Sequence, residues 1–319
     1  MGGGHGRFAT GCTLILLAAV ALMAGVKNEY VFFASYVVLQ FIVLASAWNI
    51  LGGYAGYVNF GSSAFFALGA YTALFTIKAF DAPLLVQIVV AAAVTALLGL
   101  GIGLLSLRLR GIFFSIATVA MAIILETVIT NTDYLGGAKG VQMTRPAVTA
   151  PFGSYIEMLF FVMLVMTLVA VALARYVENS WIGRGLRAIR DNEEAAECVG
   201  VPTLKLKLIA TVISGALMGA AGAPMPMYLS FIEPFSAFSL NYSVSALAMP
   251  IIGGTASWVG PVIGAILLGS VQQIVTVTIS SELNVLIVGV LLVFFVVAAP
   301  DGILGLFKKL RGTPRSGGA

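Results

Sequence analysis

Charged side chains are scarce in this sequence. Only 9% of its 319 residues are Asp, Glu, Lys or Arg, whereas 60% are hydrophobic. Soluble domains carry about 25% charged residues. The mean hydropathy of +1.05 is too high for one globular core to bury all of the apolar surface. The composition therefore excludes an ordinary soluble domain and places the chain in a lipid bilayer.

Groups that common active sites require are missing as well. His5 is the single histidine, which excludes a histidine-based metal or catalytic site. No G-x-x-x-x-G-K-[ST] loop occurs, so the chain is expected to hold no ATP, Mg or other cofactor of its own. Cys12 falls in a predicted span and Cys198 in a polar segment, which excludes a disulfide between them. We therefore expect a protein that is not an enzyme.

Long apolar runs are what the sequence has in abundance. A helix needs about 20 mostly apolar residues to cross the hydrocarbon of a bilayer. The sequence predicts an all-α, polytopic membrane protein with about ten transmembrane helices, or eight at the fewest. They form a single transmembrane domain over residues 1–312, followed by a flexible tail over 313–319. The predicted spans are residues 8–26, 31–50, 60–80, 84–107, 111–130, 156–174, 206–229, 243–257, 260–279 and 284–300.

The basic residues indicate how these spans are oriented. With ten spans, only Lys27, Lys78, Lys139 and Arg145 of the 17 Lys and Arg residues fall on one side. Cytoplasmic loops carry the excess of Lys and Arg, so both termini are predicted to be cytoplasmic. The net charge of +4 then reports topology and gives no reason to expect nucleic acid. An alternative interpretation is a cleaved secretory signal, because Ala19-Val20-Ala21 is a small-x-small site.

One polar segment, residues 175–207, stands out against the apolar background. A short helix is predicted within it, starting between Gly183 and Leu186 and ending at Gly200. Glycine can adopt the left-handed conformation that closes a helix, and Pro202 blocks its continuation. The predicted helix is amphipathic. Its polar face carries Arg187, Arg190, Asp191, Glu194 and Glu197, and its apolar face carries Leu186, Ile189, Ala196 and Val199.

This amphipathic helix allows two interpretations. It is either a solvated connection between two spans or a helix that docks a cytoplasmic partner. Small side chains would permit close approach, and flanking charges of both signs would fix the register of a docked partner. The candidate docking residues are Arg187, Arg190, Asp191, Glu193, Glu194, Ala195, Ala196 and Gly200.

Glycines crowd the segment from Gly52 to Gly69. Each glycine costs a helix about 1 kcal/mol relative to alanine, so we predict a break in the helix there. Broken helices with polar side chains are where transporters hold cargo, whereas close helix packing is the alternative explanation of the glycines. A second glycine cluster, Gly253–Pro261, echoes the first. The candidate path residues are Asn49, Tyr54, Asn59, Ser62, Ser63, Glu126, Gly253 and Thr255.

A few polar residues fall inside or near the predicted spans. Glu126 is either a polar gate that faces the cargo or a carboxylate that reaches the outer surface from one turn before Thr130. Asn241, Gln272 and Gln273 are interpreted as hydrogen-bonding contacts between helices. Three GxxxG spacings are interpreted as packing faces: Gly99–Gly103, Gly215–Gly219 and Gly260–Gly264.

A resemblance decides between the two interpretations of the polar helix. The stretch "EAAECVG", Glu194–Gly200, resembles the EAA loop of bacterial ABC importer permeases, whose helix sits in a groove of the ATP-hydrolysing subunit. Longer landmarks resemble the second permease subunit of branched-chain amino acid ABC transporters: Gly183–Ala223, Ala47–Ala73, Leu135–Val141, Ile251–Ala265 and Pro300–Lys309. The chain differs from this family at Tyr57 and Ser63, where histidine or glutamine is frequent, and at Asn59, where serine is common.

The resemblance implies a multi-pass subunit of the bacterial inner membrane. With a homologous permease it would form the path for leucine, isoleucine or valine. Two cytoplasmic ATPase subunits would bind ATP and Mg, and a periplasmic protein would deliver the small-molecule substrate. One alternative keeps this machine and changes the cargo to urea, amides or aromatic acids. Another is a stand-alone secondary transporter or channel, for which Glu126 is the one acidic residue placed clearly within a span.

Overall fold

The computed structural model describes residues 3–25, 28–106, 109, 111–143, 153–278, 283–299 and 301–310. Most of these residues are helical, which confirms the all-α prediction. Two short strands, β1 (Val141–Gln142) and β2 (Phe231–Ile232), pair antiparallel, and 3-10 turns occupy Asp133–Leu135 and Gly137–Lys139. The helices are α1 (Gly3–Gly25), α2 (Glu29–Ala55), α3 (Ser62–Phe80), α4 (Leu84–Ser106), α5 (Ile112–Thr130), α6 (Tyr155–Asn179), α7 (Trp181–Asp191), α8 (Glu193–Cys198), α9 (Thr203–Gly222), α10 (Met225–Leu229), α11 (Pro234–Ala237), α12 (Leu240–Gly253), α13 (Val259–Thr278), α14 (Leu283–Ala298) and α15 (Gly302–Leu310).

Nine helical stretches within the described residues are long and apolar enough to cross a bilayer. They confirm the prediction of a polytopic membrane protein. In the first predicted span, 8–26, the described apolar stretch runs only from Thr10 to Val20, inside α1. The predicted tail, 313–319, lies outside the described residues.

Two predicted spans differ from the helices that occupy them. The span 206–229 is divided into α9 and α10 near Pro224, which has no N–H to donate to a continuing helix. The span 243–257 is misplaced, because α12 begins at Leu240 and ends at Gly253. The Ser239 side chain accepts a hydrogen bond from the Asn241 N–H at the start of α12, and Gly254 ends the helix with φ of 113°.

Helix α2 lies at the centre of the bundle. Every residue from Ile42 to Ala55 is buried, and α2 packs against α6, α9, α12 and α13. Because these residues are buried on all sides of α2, other helices surround this part of it. The chain therefore places its longest uninterrupted buried helix directly before the glycine-rich break.

Glycines bring helix backbones into direct contact at two places. A Cβ on Gly69 of α3 would stand 2.0 Å from the carbonyl oxygen of Gly219 on α9. A Cβ on Gly264 of α13 would stand 1.8 Å from the carbonyl oxygen of Met249 on α12. The glycines of the Gly215–Gly219 and Gly260–Gly264 spacings thus lie at helix contacts, as the packing interpretation expects.

The bundle has two ends of different character. We call one the polar end, defined by α7, α8 and the non-helical residues 56–61, which confirm the predicted break. We call the other the sheet end, defined by β1, β2, α10 and α11. The break begins at Gly56, whose φ of 76° is a left-handed conformation that closes α2.

Candidate functional site

The polar segment folds as two helices rather than one. Helix α7 begins after Ser180, whose hydroxyl accepts a hydrogen bond from the Gly183 N–H. Asn192 then interrupts the predicted continuous helix with an extended backbone, φ −161° and ψ 109°. Its side chain accepts a hydrogen bond from the Ala195 N–H at 3.0 Å, and so caps α8. The prediction of one helix was wrong because a mid-segment asparagine can replace helical hydrogen bonds with a cap.

The end of α8 follows the prediction. Gly200 has φ of +86°, and its N–H donates to the Glu197 carbonyl at 2.9 Å. The Val201 N–H donates to the Ala196 carbonyl at 2.9 Å. These two bonds form a Schellman motif, which satisfies the last carbonyls of a helix. Gly200 therefore fixes where the chain leaves α8.

The predicted apolar face is only partly buried. Leu186, Ile189 and Ala196 are buried, as predicted. Val199 is 80% exposed, which contradicts the prediction. It stands at the C-cap, past the last turn of α8, where the chain turns away at Gly200. The end of α8 therefore offers an apolar side chain to the surroundings.

A buried ion pair joins α8 to α9. The Lys207 ammonium donates to Glu193 Oε1 at 2.7 Å, and their side chains are 3% and 14% exposed. The Tyr57 hydroxyl donates to Glu193 Oε2 at 2.5 Å and accepts from Lys207 Nζ at 3.1 Å. We call Tyr57, Glu193 and Lys207 the triad. It connects the break after α2 to the start of α8 and the second turn of α9.

Further hydrogen bonds connect α7 and its neighbours to the end of α2. Arg190 Nη1 donates to the Gly53 carbonyl at 2.8 Å, and Arg187 Nη2 donates to the Glu178 carbonyl at 2.9 Å. The Glu178 carboxylate accepts from the Tyr54 hydroxyl at 3.2 Å and from the Trp258 N–H at 2.6 Å. These hydrogen bonds attach α7 to α2 and α6, and they attach α6 to the α12–α13 connection.

The remaining candidate docking residues face outward. Asp191, Glu194 and Ala195 are exposed, as are Cys198 and Val199. We call these five residues, which run from the last residue of α7 to the C-cap of α8, the outer face of α8. The outer face combines two carboxylates with small and apolar side chains. Such a surface can meet a partner closely without burying a large apolar area.

Most candidate path residues gather near the break and help to build it. Asn59 Oδ1 accepts from the Gly61 N–H at 2.7 Å, and the Asn59 carbonyl accepts from Trp48 Nε1 at 2.8 Å. The Ser63 N–H donates to the Ser243 hydroxyl at 2.9 Å. Asn49, Tyr54, Asn59, Ser62 and Ser63 are all buried.

The other three candidate path residues lie apart from one another. Thr255 is half-buried, with its carbonyl oxygen 3.0 Å from where a Cβ on Gly53 would stand. A Cβ on Gly253 would stand 1.8 Å from the Gly260 carbonyl oxygen, so Gly253 lies at the α12–α13 contact. Glu126 is half-buried on α5, and its carbonyl accepts from the Thr130 hydroxyl.

Two cavities accompany these residues. One of about 390 Å³ lies at the polar end and is lined in part by Tyr57, Arg190 and Glu193. A larger one, of about 590 Å³, lies toward the sheet end and has Gln40 and Gln272 in its wall. None of the candidate path residues lines the larger cavity.

Glu178, Lys207 and Trp258 are not among the predicted site residues, although the polar end depends on them. Lys207 carries a usable signal, because a lysine within the predicted span 206–229 is expected to be paired. Glu178 carries a weaker signal of pairing, because it lies beyond the predicted span 156–174, where a carboxylate is expected to be solvated. The Trp258 contact uses the backbone N–H, which no sequence pattern reveals.

Comparison with known proteins gives the family. The family model described as "Branched-chain amino acid transport system / permease component" matches residues 30–296. The chain belongs to this family. The match covers the bundle from α2 into α14, including the whole polar end of this permease.

Curated relatives of the permease carry consistent names. The high-affinity branched-chain amino acid transport system permease protein LivM of Escherichia coli K12 is 26% identical, over 92% of this chain and 74% of its own length. LivH of Salmonella typhimurium LT2 is 23% identical over 83% of this chain and 91% of its own length. A probable LivH of Methanocaldococcus jannaschii is 27% identical over 79% of this chain and 85% of its own length. No solved structure matches the chain significantly.

Proposed function

We propose that this multi-pass membrane protein is a permease subunit of an ABC importer for leucine, isoleucine and valine. Its relatives are named as permeases of branched-chain amino acid transport systems, and both LivM-type and LivH-type relatives are similar to it. In the proposed assembly a second, homologous permease completes the path. Two ATPase subunits bind ATP and Mg, and a periplasmic protein delivers the amino acid.

The outer face of α8 is the proposed docking surface for the ATPase. The observation that carries this proposal is the set of hydrogen bonds behind α7 and α8, above all the triad. A surface that only connected two spans would not need a buried ion pair to fix it, since such a pair is costly to desolvate. A helix that transmits force does need rigid attachment to the elements that move.

The mechanism is alternating access. ATP closes the ATPase pair, and α7 and α8 move with it as one body. The triad carries this movement to residues 56–61 and to α9, while Arg190 carries it to the end of α2. In this scheme the polar end is cytoplasmic, in agreement with the excess of Lys and Arg around it.

A single substitution tests the docking surface. Ala195→Arg adds a long charged side chain to the outer face of α8, where alanine is exposed. We expect the permease to insert and to unfold at an unchanged temperature. ATP-driven leucine uptake by the reconstituted complex is expected to fall at least tenfold, because the ATPase no longer seats closely.

Ala256→Arg is the matched control, since Ala256 is exposed on the α12–α13 connection at the same end. We expect it to retain uptake. Equal uptake by the Ala195→Arg complex and the unsubstituted complex would overturn the docking role. Leucine uptake that persists after removal of the ATPase subunits would overturn the importer itself in favour of a secondary transporter.

A further inference from the structure

The larger cavity lies between three spans in the half of the bundle toward the sheet end. Its volume is about 590 Å³, and α2, α12 and α13 contribute Gln40, Ser245 and Gln272 to its wall. These three side chains belong to residues that are only 4–5% exposed. The wall therefore brings polar groups from three separate helices to one cavity.

The glutamines are not explained by contacts between helices alone. Gln272 Nε2 donates to the Ser245 hydroxyl at 3.3 Å, which agrees with the predicted role in joining helices. The side-chain amide of Gln40 makes no hydrogen bond to the part of the chain that the structure describes, although the residue is only 5% exposed. An amide at membrane depth requires partners, because lipid tails supply none. The Gln40 amide, which lines the cavity, is therefore available to a molecule that enters it.

The rest of the wall indicates what those contents are. Val37, Phe41 and Val244 are apolar, and Glu233 is the one charged residue in the described lining. Glu233 lies between β2 and α11, outside the transmembrane helices, at the rim of the cavity. Apart from Glu233 the described lining is thus uncharged, and on α2 the aliphatic side chain of Val37 lies one helical turn from the amide of Gln40. Each amide offers both a donor and an acceptor.

We propose that this cavity holds the transported molecule within the permease, and that the molecule is a small zwitterion with an aliphatic side chain. The carbonyls of Gln40 and Gln272 accept from its ammonium group, and their NH₂ groups donate to its carboxylate. Val37 and Val244 contact the aliphatic side chain. This inference rests on the proposed function and adds the place and the chemistry of cargo binding.

Other occupants fit the wall less well. An acyl chain offers no hydrogen-bonding group to the Gln40 amide, and burying an amide without a partner is costly. A cargo with net charge would meet no compensating charge below Glu233. A segment of the second permease is another candidate occupant of the cavity. The thiol-labelling experiment below distinguishes it from a small cargo molecule.

The first experiment measures leucine uptake by the complete complex in proteoliposomes. Gln40→Leu keeps the size of the side chain and removes both hydrogen-bonding groups. We expect the KM for leucine to rise at least tenfold while ATP hydrolysis without cargo stays unchanged. Gln87→Leu is the matched control, because Gln87 is a buried amide on α4 that lies outside this cavity. Its KM is expected to stay within twofold.

The second experiment tests occupancy directly. Val244→Cys is made in a chain that carries Cys12→Ser and Cys198→Ser, so that the new thiol is the only one. We expect a small water-soluble thiol reagent to label the assembled complex and leucine to protect it. Labelling that leucine does not slow, no labelling, or a crosslink to the second permease would each overturn the inference.

The two proposals fail in different ways. A complex of the unsubstituted chain that takes up no branched-chain amino acid contradicts the proposed function. A complex that takes up leucine, and keeps its KM with Gln40→Leu, contradicts only the assignment of the cavity.

Discussion

The polar end and the sheet end of this permease are held together by different kinds of contact. At the polar end, the triad and Arg190 join α2, α7, α8 and α9 through hydrogen bonds and a buried ion pair. At the sheet end, Tyr228 of α10 stacks on Phe33 and Tyr36 of α2 at ring-centroid distances of 4.4 and 4.3 Å.

This difference has a mechanical meaning. Hydrogen bonds between charged groups are directional, and they lose strength when their atoms shift by a fraction of an ångström. Stacked rings and apolar contacts tolerate sliding, because burial of apolar surface is not directional. In the proposed mechanism, a permease driven from the polar end needs rigid attachment there and adjustable contacts around its cargo.

The largest expected effect comes from the ion pair at the polar end. Lys207→Met leaves the Glu193 carboxylate without its buried partner, which costs about 3–5 kcal/mol of stability. We expect a lower unfolding temperature in detergent and loss of ATP-driven uptake. Lys205→Met is the matched control, since Lys205 is exposed two residues away on α9.

Combining Lys207→Met with Glu193→Gln sharpens the result. Removal of both charges is expected to restore most of the stability while uptake remains impaired, because the joint is lost. Restored uptake would show that the triad only stabilises the fold. An unfolding temperature of Lys207→Met equal to that of Lys205→Met would contradict the buried pair.

A smaller effect is expected at the sheet end. Tyr228→Leu removes two stacked aromatic pairs, each worth about 0.5–1.5 kcal/mol beyond area burial. We expect moderate destabilisation and a raised KM for leucine, with ATP hydrolysis still coupled to uptake. Tyr176→Leu, at an exposed tyrosine of α6, serves as the control. If Tyr228→Leu uncoupled ATP hydrolysis from uptake, substitutions at the two ends would have the same effect on coupling, and the proposed difference between the ends would be wrong.

The smallest effect concerns how α8 ends. Gly200 and Gly289 both have open space where a Cβ would stand, but Gly200 has φ of +86° and Gly289 lies within helix α14. We expect Gly200→Ala to destabilise by about 1 kcal/mol, because an L side chain strains the left-handed conformation. Gly289→Ala should be neutral or slightly stabilising. Equal unfolding midpoints for the two variants would argue against the closing turn at Gly200.

Local features of this sequence are sufficient to predict much of its fold. Apolar runs locate α2 to α6, and the glycines from Gly52 onward predict the break that begins at Gly56. Gly200 predicts the end of α8, because its conformation depends on neighbouring residues only. The interruption at Asn192 is not predicted, since an asparagine there fits a solvated helix face equally well.

The contacts that build the site are harder to predict. Lys207 bonds to Tyr57, 150 residues away in the sequence, and Arg190 bonds to Gly53, 137 residues away. Spacing patterns describe neighbours on one helix and carry no information about such pairs. Gln40 is a single polar residue inside an apolar run, and only the assembled bundle reveals that it meets Gln272 at one cavity.

The hydrogen bond from Arg190 to Gly53 has a consequence for sequence variation in the proposed importer. Its acceptor is a main-chain oxygen, which every amino acid supplies, so the attachment of α7 to α2 does not depend on which side chain stands at the acceptor position. In the proposed mechanism, side chains elsewhere on α2 can therefore change to suit a different cargo while the connection to the ATPase is kept.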